Sequence, residues 1–202
     1  MRRLILLFLS PLVRSPSPLH SQQSQTDAEE IRLARSAAPA EVSARATIFV
    51  LRDGKYVEHL KGTNGVACYV SRSQPEAIEP ECFDAEAVQT IMPIDMLQTE
   101  LRLAGRTSAE VDAVVAVKIQ SGEFRLPRRP AMVYMMSAAQ ILYTPDGRRV
   151  GAWKPHLMIY YPYVRATDLG LEKEGQLISF QGEGGATSAI VIPVNEFVKP
   201  AP

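Results

Sequence analysis

Short apolar runs and alternating positions along the chain predict two groups of β-strands separated by helices. Residues 46–51, 56–60 and 66–70 are rich in β-branched and aromatic side chains, with turn sequences at Asp53-Gly54 and at residues 62–65. We expect these three strands to form an antiparallel meander. The C-terminal third is expected to hold the second group of strands, over residues 131–136, 141–143, 156–161, 176–180 and 189–194.

Helical signals lie before and between the two strand groups. Capping boxes begin at Thr26 and Thr107, and Pro93 suits the first turn of a helix, where its missing N–H would have no partner in any case. Helices are therefore expected over about 27–38, 93–104 and 108–120. Because strands and helices are grouped apart, the pattern predicts an α+β fold: a mostly antiparallel sheet of six or seven strands with two or three helices. A doubly wound α/β fold is the alternative, and it would need strands and helices to alternate.

The first 21 residues have the pattern of a secretory signal peptide. A basic start, Met1-Arg2-Arg3, precedes an apolar run from Leu4 to Val13, which is too short to cross a hydrocarbon core of roughly 30 Å. Residues 15–21 break both helix and hydrophobicity, and we expect cleavage after Ser21. The alternative is an N-terminal amphipathic helix of the fold, although the polar face is missing. The sequence therefore predicts an extracytoplasmic protein, periplasmic or secreted, without a transmembrane anchor.

Cleavage would divide the remaining chain into residues 22–45, an N-terminal helix and lead-in, and residues 46–202, a single α+β domain. The full chain has 22 basic and 22 acidic residues, and the leader carries three arginines and no acid. The mature part therefore has a formal net charge of −3. This mild acidity argues against a nucleic-acid partner, which would require a basic surface.

The two cysteines, Cys68 and Cys82, are expected to form a disulfide, because export exposes an even number of thiols to an oxidising compartment. The bridge would close a loop of about 15 residues, worth about 3 kcal/mol in the chain-entropy description. Residues 69–81 are polar and contain Pro75 and Pro80, so we expect a loop that the bridge holds in place. Two buried free thiols or a redox pair are the alternatives, although a redox pair usually has the spacing Cys-x-x-Cys.

Recognisable catalytic and cofactor motifs are absent from the sequence. It contains no nucleophile elbow, zinc-protease helix, P-loop, dinucleotide-binding glycine pattern or EF-hand loop. Two histidines remain after the leader, His59 and His156, and they have no metal-ligand spacing. We therefore predict no metal site and no cofactor, and whether the protein is an enzyme stays open.

The segment 131–163 concentrates aromatic and methionine side chains. It contains five of the seven tyrosines, the one tryptophan and four of the seven methionines. In the strand that we expect after Pro155, a period of two places His156, Met158 and Tyr160 on one face. The candidate ligand-binding residues of this segment are His156, Tyr134, Ser137, Trp153, Met158 and Tyr160.

Several interpretations of this segment remain open. It could form an apolar pocket with one polar handle, binding a small molecule or a protein partner. It could equally be core, in which tyrosine and methionine fill space and His156 bonds to a backbone carbonyl. A third interpretation is a hydrolase-like enzyme with His156 as acid or base beside Ser137, for which the sequence places no acid nearby. The last is a purely structural envelope component.

Two stretches of the chain resemble a group of uncharacterised exported bacterial proteins. One combines YMMS, residues 134–137, with WKPHLMIYYP, residues 153–162; the other runs from Thr63-Asn64-Gly65 through Cys68 to Cys82. The resemblance as a whole extends over about two-thirds of the mature chain. No activity is known for the group, so the resemblance implies export and a shared architecture and carries over no mechanism.

Overall fold

The structure, a computed structural model, describes residues 27–144, 147–150, 154–171 and 179–201. In chain order its elements are α1 (Asp27–Arg35), α2 (Ala40–Ser43), β1 (Thr47–Arg52), β2 (Lys55–Leu60), β3 (Ala67–Ser71), β4 (Glu79–Phe83), α3 (Ala85–Thr90), α4 (Met92–Leu103), α5 (Ser108–Gln120), β5 (Ala131–Met135), β6 (His156–Tyr160), a 3₁₀-helix (Ala166–Leu169), β7 (Ser179–Gln181) and β8 (Ala189–Pro193). The fold is α+β, as predicted. The described residues form eight strands and five α-helices, so the predicted numbers of strands and helices were too low. The predicted leader, residues 1–21, lies outside the described residues.

All eight strands join one mixed sheet in the order β2-β1-β3-β4-β5-β6-β8-β7. β1 and β2 form the predicted hairpin, in which Asp53 and Gly54 both have positive φ. The predicted meander is wrong beyond this hairpin, because β3 pairs in parallel with β1 and not with β2. The connection after β2 passes the start of β1, where a Cβ on Gly62 would lie 2.2 Å from the Thr47 nitrogen. The close approach of the two backbones therefore requires glycine at this position.

Helices cover both faces of the sheet at β3 and β4, and every residue of these two strands is buried. On one face α1 packs against β1, β3 and β4, with Leu33 and Ala34 fully enclosed. On the other face α3 and α4 cover the rings of Tyr69 and Phe83, which stack with their centroids 5.2 Å apart. The centre of the sheet is therefore the middle layer of three.

The predicted disulfide between Cys68 and Cys82 is confirmed. The two residues stand opposite each other in the antiparallel β3–β4 pair, with 4.1 Å between their Cα atoms, and both are fully buried. The predicted loop over residues 69–81 was wrong, because its two ends are paired strand and residues 72–78 alone connect them. Two glutamates and a proline make β4 look like a loop in the sequence, although it lies in the middle layer.

α1 is fixed to the sheet by polar contacts as well as by its apolar face. Glu30 accepts a hydrogen bond from Arg72 Nη2 at 2.7 Å through Oε1, and another from the Leu51 N–H at 2.9 Å through Oε2. At the surface, Asp27 forms an ion pair with Arg52. The helix ends at Arg35 rather than at Ala38 as predicted, and a turn leads into α2. The predicted lead-in thus contributes to the core beside β1, β3 and β4.

Three consecutive helices connect the two strand groups. α3 was not predicted; it begins after Asp84, whose Oδ1 accepts hydrogen bonds from the N–H groups of Glu86 and Ala87 at 3.1 and 2.8 Å. α4 has a proline in its first turn as predicted, and α5 begins with the predicted capping box of Thr107 and Glu110. α5 packs against α4. No helix within the described ranges combines the length and the apolar character needed to cross a bilayer.

The second strand group continues the sheet beyond β4. β5, β6, β8 and β7 pair in antiparallel fashion, in agreement with the strands predicted there. β7 begins at Ser179, and the predicted strand residues 176–178 lie outside the described ones. The strand predicted over 141–143 is replaced by two isolated bridges, which join Ile141 to Ile78 and Tyr143 to Arg149.

Candidate functional site

The segment 131–163 is divided between the two faces of the sheet. β5 and β6 lie side by side, with Met135 opposite His156, Val133 opposite Met158 and Ala131 opposite Tyr160. These six side chains are buried, whereas the alternate positions in both strands are half-buried. His156, Met158 and Tyr160 thus share a face as the period of two predicts, and Tyr134 lies on the opposite face among residues packed against α1. Trp153 lies outside the described residues.

His156 occupies a core position at the start of β6. Its ring Nδ1 lies 3.1 Å from the carbonyl oxygen of Lys154, and Met135 and Pro193 are its partners across the sheet. Burial lowers the pKa of His156, because the imidazolium form loses hydration, while the Lys154 carbonyl acts weakly in the opposite direction. The ring is therefore neutral near neutral pH. A buried ring that bonds to the carbonyl of a nearby residue is the geometry expected of a core histidine.

Ser137 lies after the end of β5 and serves a structural contact. Its Oγ is 2.6 Å from Ser36 Oγ in the turn after α1, and it accepts a hydrogen bond from the Ala139 N–H at 3.1 Å. No hydrogen bond joins Ser137 to His156. The Ser137 hydroxyl contacts the turn after α1, whereas the His156 ring bonds to the Lys154 carbonyl. The six predicted candidates are thus not assembled into a single site within the described residues.

Tyr160 and three carboxyl groups define a buried polar cluster that the sequence did not suggest. Asp95 on α4 accepts hydrogen bonds from the Tyr69 and Ser71 hydroxyls, at 2.7 and 2.8 Å, on one carboxyl oxygen. Glu79 accepts two hydrogen bonds of 2.7 Å from Ser73. The side chain of Glu81, which is 6% exposed, makes no hydrogen bond with a described residue. The cluster lies beneath α4, on the face of β4 that also carries Phe83.

Burial dominates the electrostatics of this cluster. It raises the pKa of Glu81 well above the ordinary carboxyl range, and repulsion from Asp95 and Glu79 adds to the shift. The pKa of Tyr160 is raised by burial first and then by the nearby Glu81 and Asp95. Burial also raises the pKa of Glu79, and the hydrogen bonds from Ser73 act in the opposite direction. The period of two across residues 79, 81 and 83 would have revealed this face, had β4 been recognised as a strand.

α1, α2 and residues 198–201 enclose a groove with a volume of about 660 Å³. Small and aliphatic side chains form most of its lining: Ala28, Ile31, Ala38, Ala40, Ala44, Val198 and Ala201. Four charged residues also line it: Glu29, Arg32, Arg35 and Lys199. The sequence did not predict this groove, because its two walls are about 160 positions apart in the chain and five of the thirteen lining residues are alanine.

The chain immediately after β5 links the two walls of this groove. The Met136 N–H donates to the carbonyl of Ala37 at 3.0 Å, and its own carbonyl accepts from the Val198 N–H at 2.8 Å. The Ala138 N–H in turn donates to the Val198 carbonyl at 2.9 Å. Ser36, which lines the groove, is bonded to Ser137 as described above. Of the predicted candidates, Ser137 is therefore the one that supports a cavity wall.

Metal chemistry has no support from the histidines and acids of the described chain. His59 lies on the edge strand β2, where its Nδ1 is 3.6 Å from Asp27 Oδ2, while His156 is buried in β6. No group of three histidine, cysteine, aspartate or glutamate side chains within the described ranges has a geometry that could hold a metal ion.

Comparisons with known proteins identify no relative: no family model, no curated protein and no solved structure matches this chain.

Proposed function

We propose that this chain is an exported, non-catalytic binding domain whose ligand lies in the groove between α1, α2 and residues 198–201. The observation that carries the proposal is the groove itself: its volume, about 660 Å³, lies within the range of sites that bind small molecules. Its lining is mainly apolar with a few charged groups at the rim, which is the usual chemistry of such sites.

The segment 131–163 acts in this proposal as the scaffold of the site. Its buried row, from Met135 to Tyr160, joins the core under α3, and residues 136–138 tie the turn after α1 to the C-terminal wall. Predicted binding residues such as His156 and Met158 lie on the other face of the sheet from α1 and do not line the groove. They are not expected to contact the ligand.

A hydrolase-like function of His156 has less support than binding. The ring Nδ1–H donates a hydrogen bond to the Lys154 carbonyl, and the Ser137 hydroxyl is bonded to Ser36. Of the three carboxyl groups near Tyr160, Glu79 and Glu81 are buried between α4 and the sheet, where a substrate would have to displace a helix. We therefore propose no catalytic step for either set of residues.

Export is part of the proposal and rests on the N-terminal pattern and on the Cys68–Cys82 bridge. Intact-mass measurement of the protein made by its native host should give a chain shortened near Ser21 that does not react with thiol reagents. A full-length product with two alkylatable cysteines would contradict export.

A neutral solvatochromic dye, Nile red, tests the groove as a binding site. We expect the purified protein to bind the dye and the Ala44→Phe variant to bind it at least about tenfold more weakly, because Ala44 lines the groove and a phenyl ring would fill it. Ala116→Phe is the matched control, since Ala116 is an exposed alanine on α5. Equal dye binding by the wild-type and Ala44→Phe proteins, with unchanged melting temperatures, would overturn the proposed function.

A further inference from the structure

We propose that the groove takes an amphiphile with a single anionic head group and an apolar chain, such as a long-chain carboxylate. This inference rests on the proposed function and names the ligand class of that same groove. It joins two features of the lining: cationic side chains without partners at the rim, and a floor without available polar groups.

The cationic rim comes from both walls of the groove. Arg32 and Arg35 are three residues apart on α1 and so lie on one side of that helix, while Lys199 belongs to the C-terminal wall. None of these three side chains forms a hydrogen bond or an ion pair with a described residue. Glu29 is the one acidic residue among those that line the groove, so cations outnumber acids there by three to one.

Helix stabilisation accounts for only part of this arrangement. Basic residues in the last turn of a helix interact favourably with its C-terminal carbonyl groups, which suits Arg32 and Arg35 on α1. Lys199 lies on no helix and faces the same cavity from the opposite wall. A mature chain with net negative charge thus places three unpaired cations around one apolar groove, which is complementary to a ligand anion.

The floor of the groove selects for an apolar chain. Ile31, Ala38 and Val198 present only hydrocarbon. The two hydroxyls that line it are already bonded to the protein: Ser36 Oγ donates to the Leu33 carbonyl at 2.6 Å, and Ser43 Oγ donates to the Ala38 carbonyl at 3.3 Å. A sugar or another polyhydroxylated ligand could pair its hydroxyls only with the charged side chains, whereas an alkyl chain needs no partner.

Three probes that share a twelve-carbon chain separate head-group charge from apolar binding. Dodecanoate, dodecanol and dodecyltrimethylammonium are each used, below their micellar concentrations, to displace Nile red from the purified full chain. We expect dodecanoate to compete about tenfold more strongly than dodecanol, and the cationic probe to compete least. High salt should weaken dodecanoate and leave dodecanol unchanged, because the rim charges are exposed.

A charge-neutralised variant assigns the effect to the rim. R32Q/R35Q/K199Q should lose the preference for dodecanoate over dodecanol while keeping the affinity for dodecanol. K61Q/R128Q/K154Q is the matched control, since it removes the same number of charges from exposed residues that lie outside the groove. The control should retain the full preference.

The outcomes distinguish this inference from the proposed function. If all three probes displace Nile red equally, or if R32Q/R35Q/K199Q keeps the preference, the ligand class is overturned and the groove remains a binding site. If Nile red binding is insensitive to Ala44→Phe, the groove is not a site and the proposed function fails first. Self-association of the wild type that Ala44→Phe abolishes would assign the groove to a second copy and overturn the inference.

Discussion

The β3–β4 pair and the β6–β8 pair lie in one sheet and differ in how they are covered. β3 and β4 are buried along their whole length, and the disulfide joins them across the ladder. β6 alternates between buried and half-buried residues, and β8 is half-buried over most of its length. Composition would give the opposite order, because β4 contains two glutamates and a proline whereas β6 and β8 are almost entirely apolar.

This difference shows that the burial of a strand in this protein depends on whether helices cover it, and not on how hydrophobic the strand is. α1 covers one face of β3 and β4, and α3 and α4 cover the other. At β6 and β8 the buried face joins the same core as Phe83, while the residues on the other face, among them Leu157, Ile159, Ile190 and Ile192, stay half-exposed. The polar groups on β4 are therefore buried because helices cover both faces of the strand, and not because the strand itself is apolar.

Truncation of one large side chain in each region tests directly whether the two strand pairs differ in packing. Phe83→Ala should lower the free energy of unfolding by about 4 kcal/mol, because the ring is fully buried and stacks on Tyr69. Ile159→Ala on the half-exposed face should cost about 1 kcal/mol, since part of its surface is already in contact with water. Urea denaturation measures both. Equal losses would show that the two regions are packed alike.

Most of the strands could be predicted from the sequence because their residues have strong local preferences. β1, β2, β3, β5, β6 and β8 are β-branched or aromatic runs, and the positive φ values of Asp53 and Gly54 follow from the turn sequence. The parallel pairing of β1 with β3 could not be predicted, because it depends on where the connection through Gly62 crosses and not on any local preference. β4 was missed because its glutamates and proline have low strand propensity.

The site was predicted less well than the fold, for a physical reason. Aromatic and methionine residues in 131–163 were prominent in the sequence, and the structure uses His156, Met158 and Tyr160 as buried sheet residues. The groove instead depends on small side chains, which leave space between α1 and the C-terminal segment. Alanine carries no chemical signal in a sequence, and the rim cations look like ordinary surface charges until the fold places Lys199 opposite α1.

The buried carboxyl of Glu81 should make the β3–β4 region sensitive to high pH. Its folded-state pKa is raised by burial and by Asp95 and Glu79, so the folded protein holds this proton more tightly than the unfolded chain does. The stability that this carboxyl contributes is therefore complete at acidic pH and is lost as pH rises from the ordinary carboxyl range through the raised folded pKa. Glu81→Gln should be more stable than the wild type at neutral pH by about 1 to 3 kcal/mol, the scale of desolvating an unpartnered polar group.

Urea midpoints across a pH series test this expectation. The gain from Glu81→Gln should vanish at acidic pH, where the wild-type side chain is protonated in both states. Glu76→Gln is the matched control, because Glu76 is exposed in the connection between β3 and β4. A Glu81→Gln variant that is less stable than the wild type at neutral pH would mean that the charged carboxylate makes favourable contacts.

His156 should give the β6–β8 region the opposite and smallest pH response. Burial lowers its pKa from 6.5, so the unfolded chain binds this proton more readily than the folded protein. Stability contributed by the neutral ring is complete above the ordinary histidine range and is lost as pH falls toward the lowered folded pKa. We expect His156→Gln to reduce this acid loss by less than about 1 kcal/mol, as measured by urea denaturation at two pH values.

Opposite pH slopes at Glu81 and His156 would separate the two regions independently of packing. Proton NMR titration of the folded protein measures the pKa of His156 directly. It should lie below the ordinary histidine value, because desolvation disfavours the charged form of the ring. A pKa of His156 at or above the ordinary histidine value would mean that water reaches this face of β6. The β6–β8 pair would then be even less well covered, relative to β3–β4, than the structure shows.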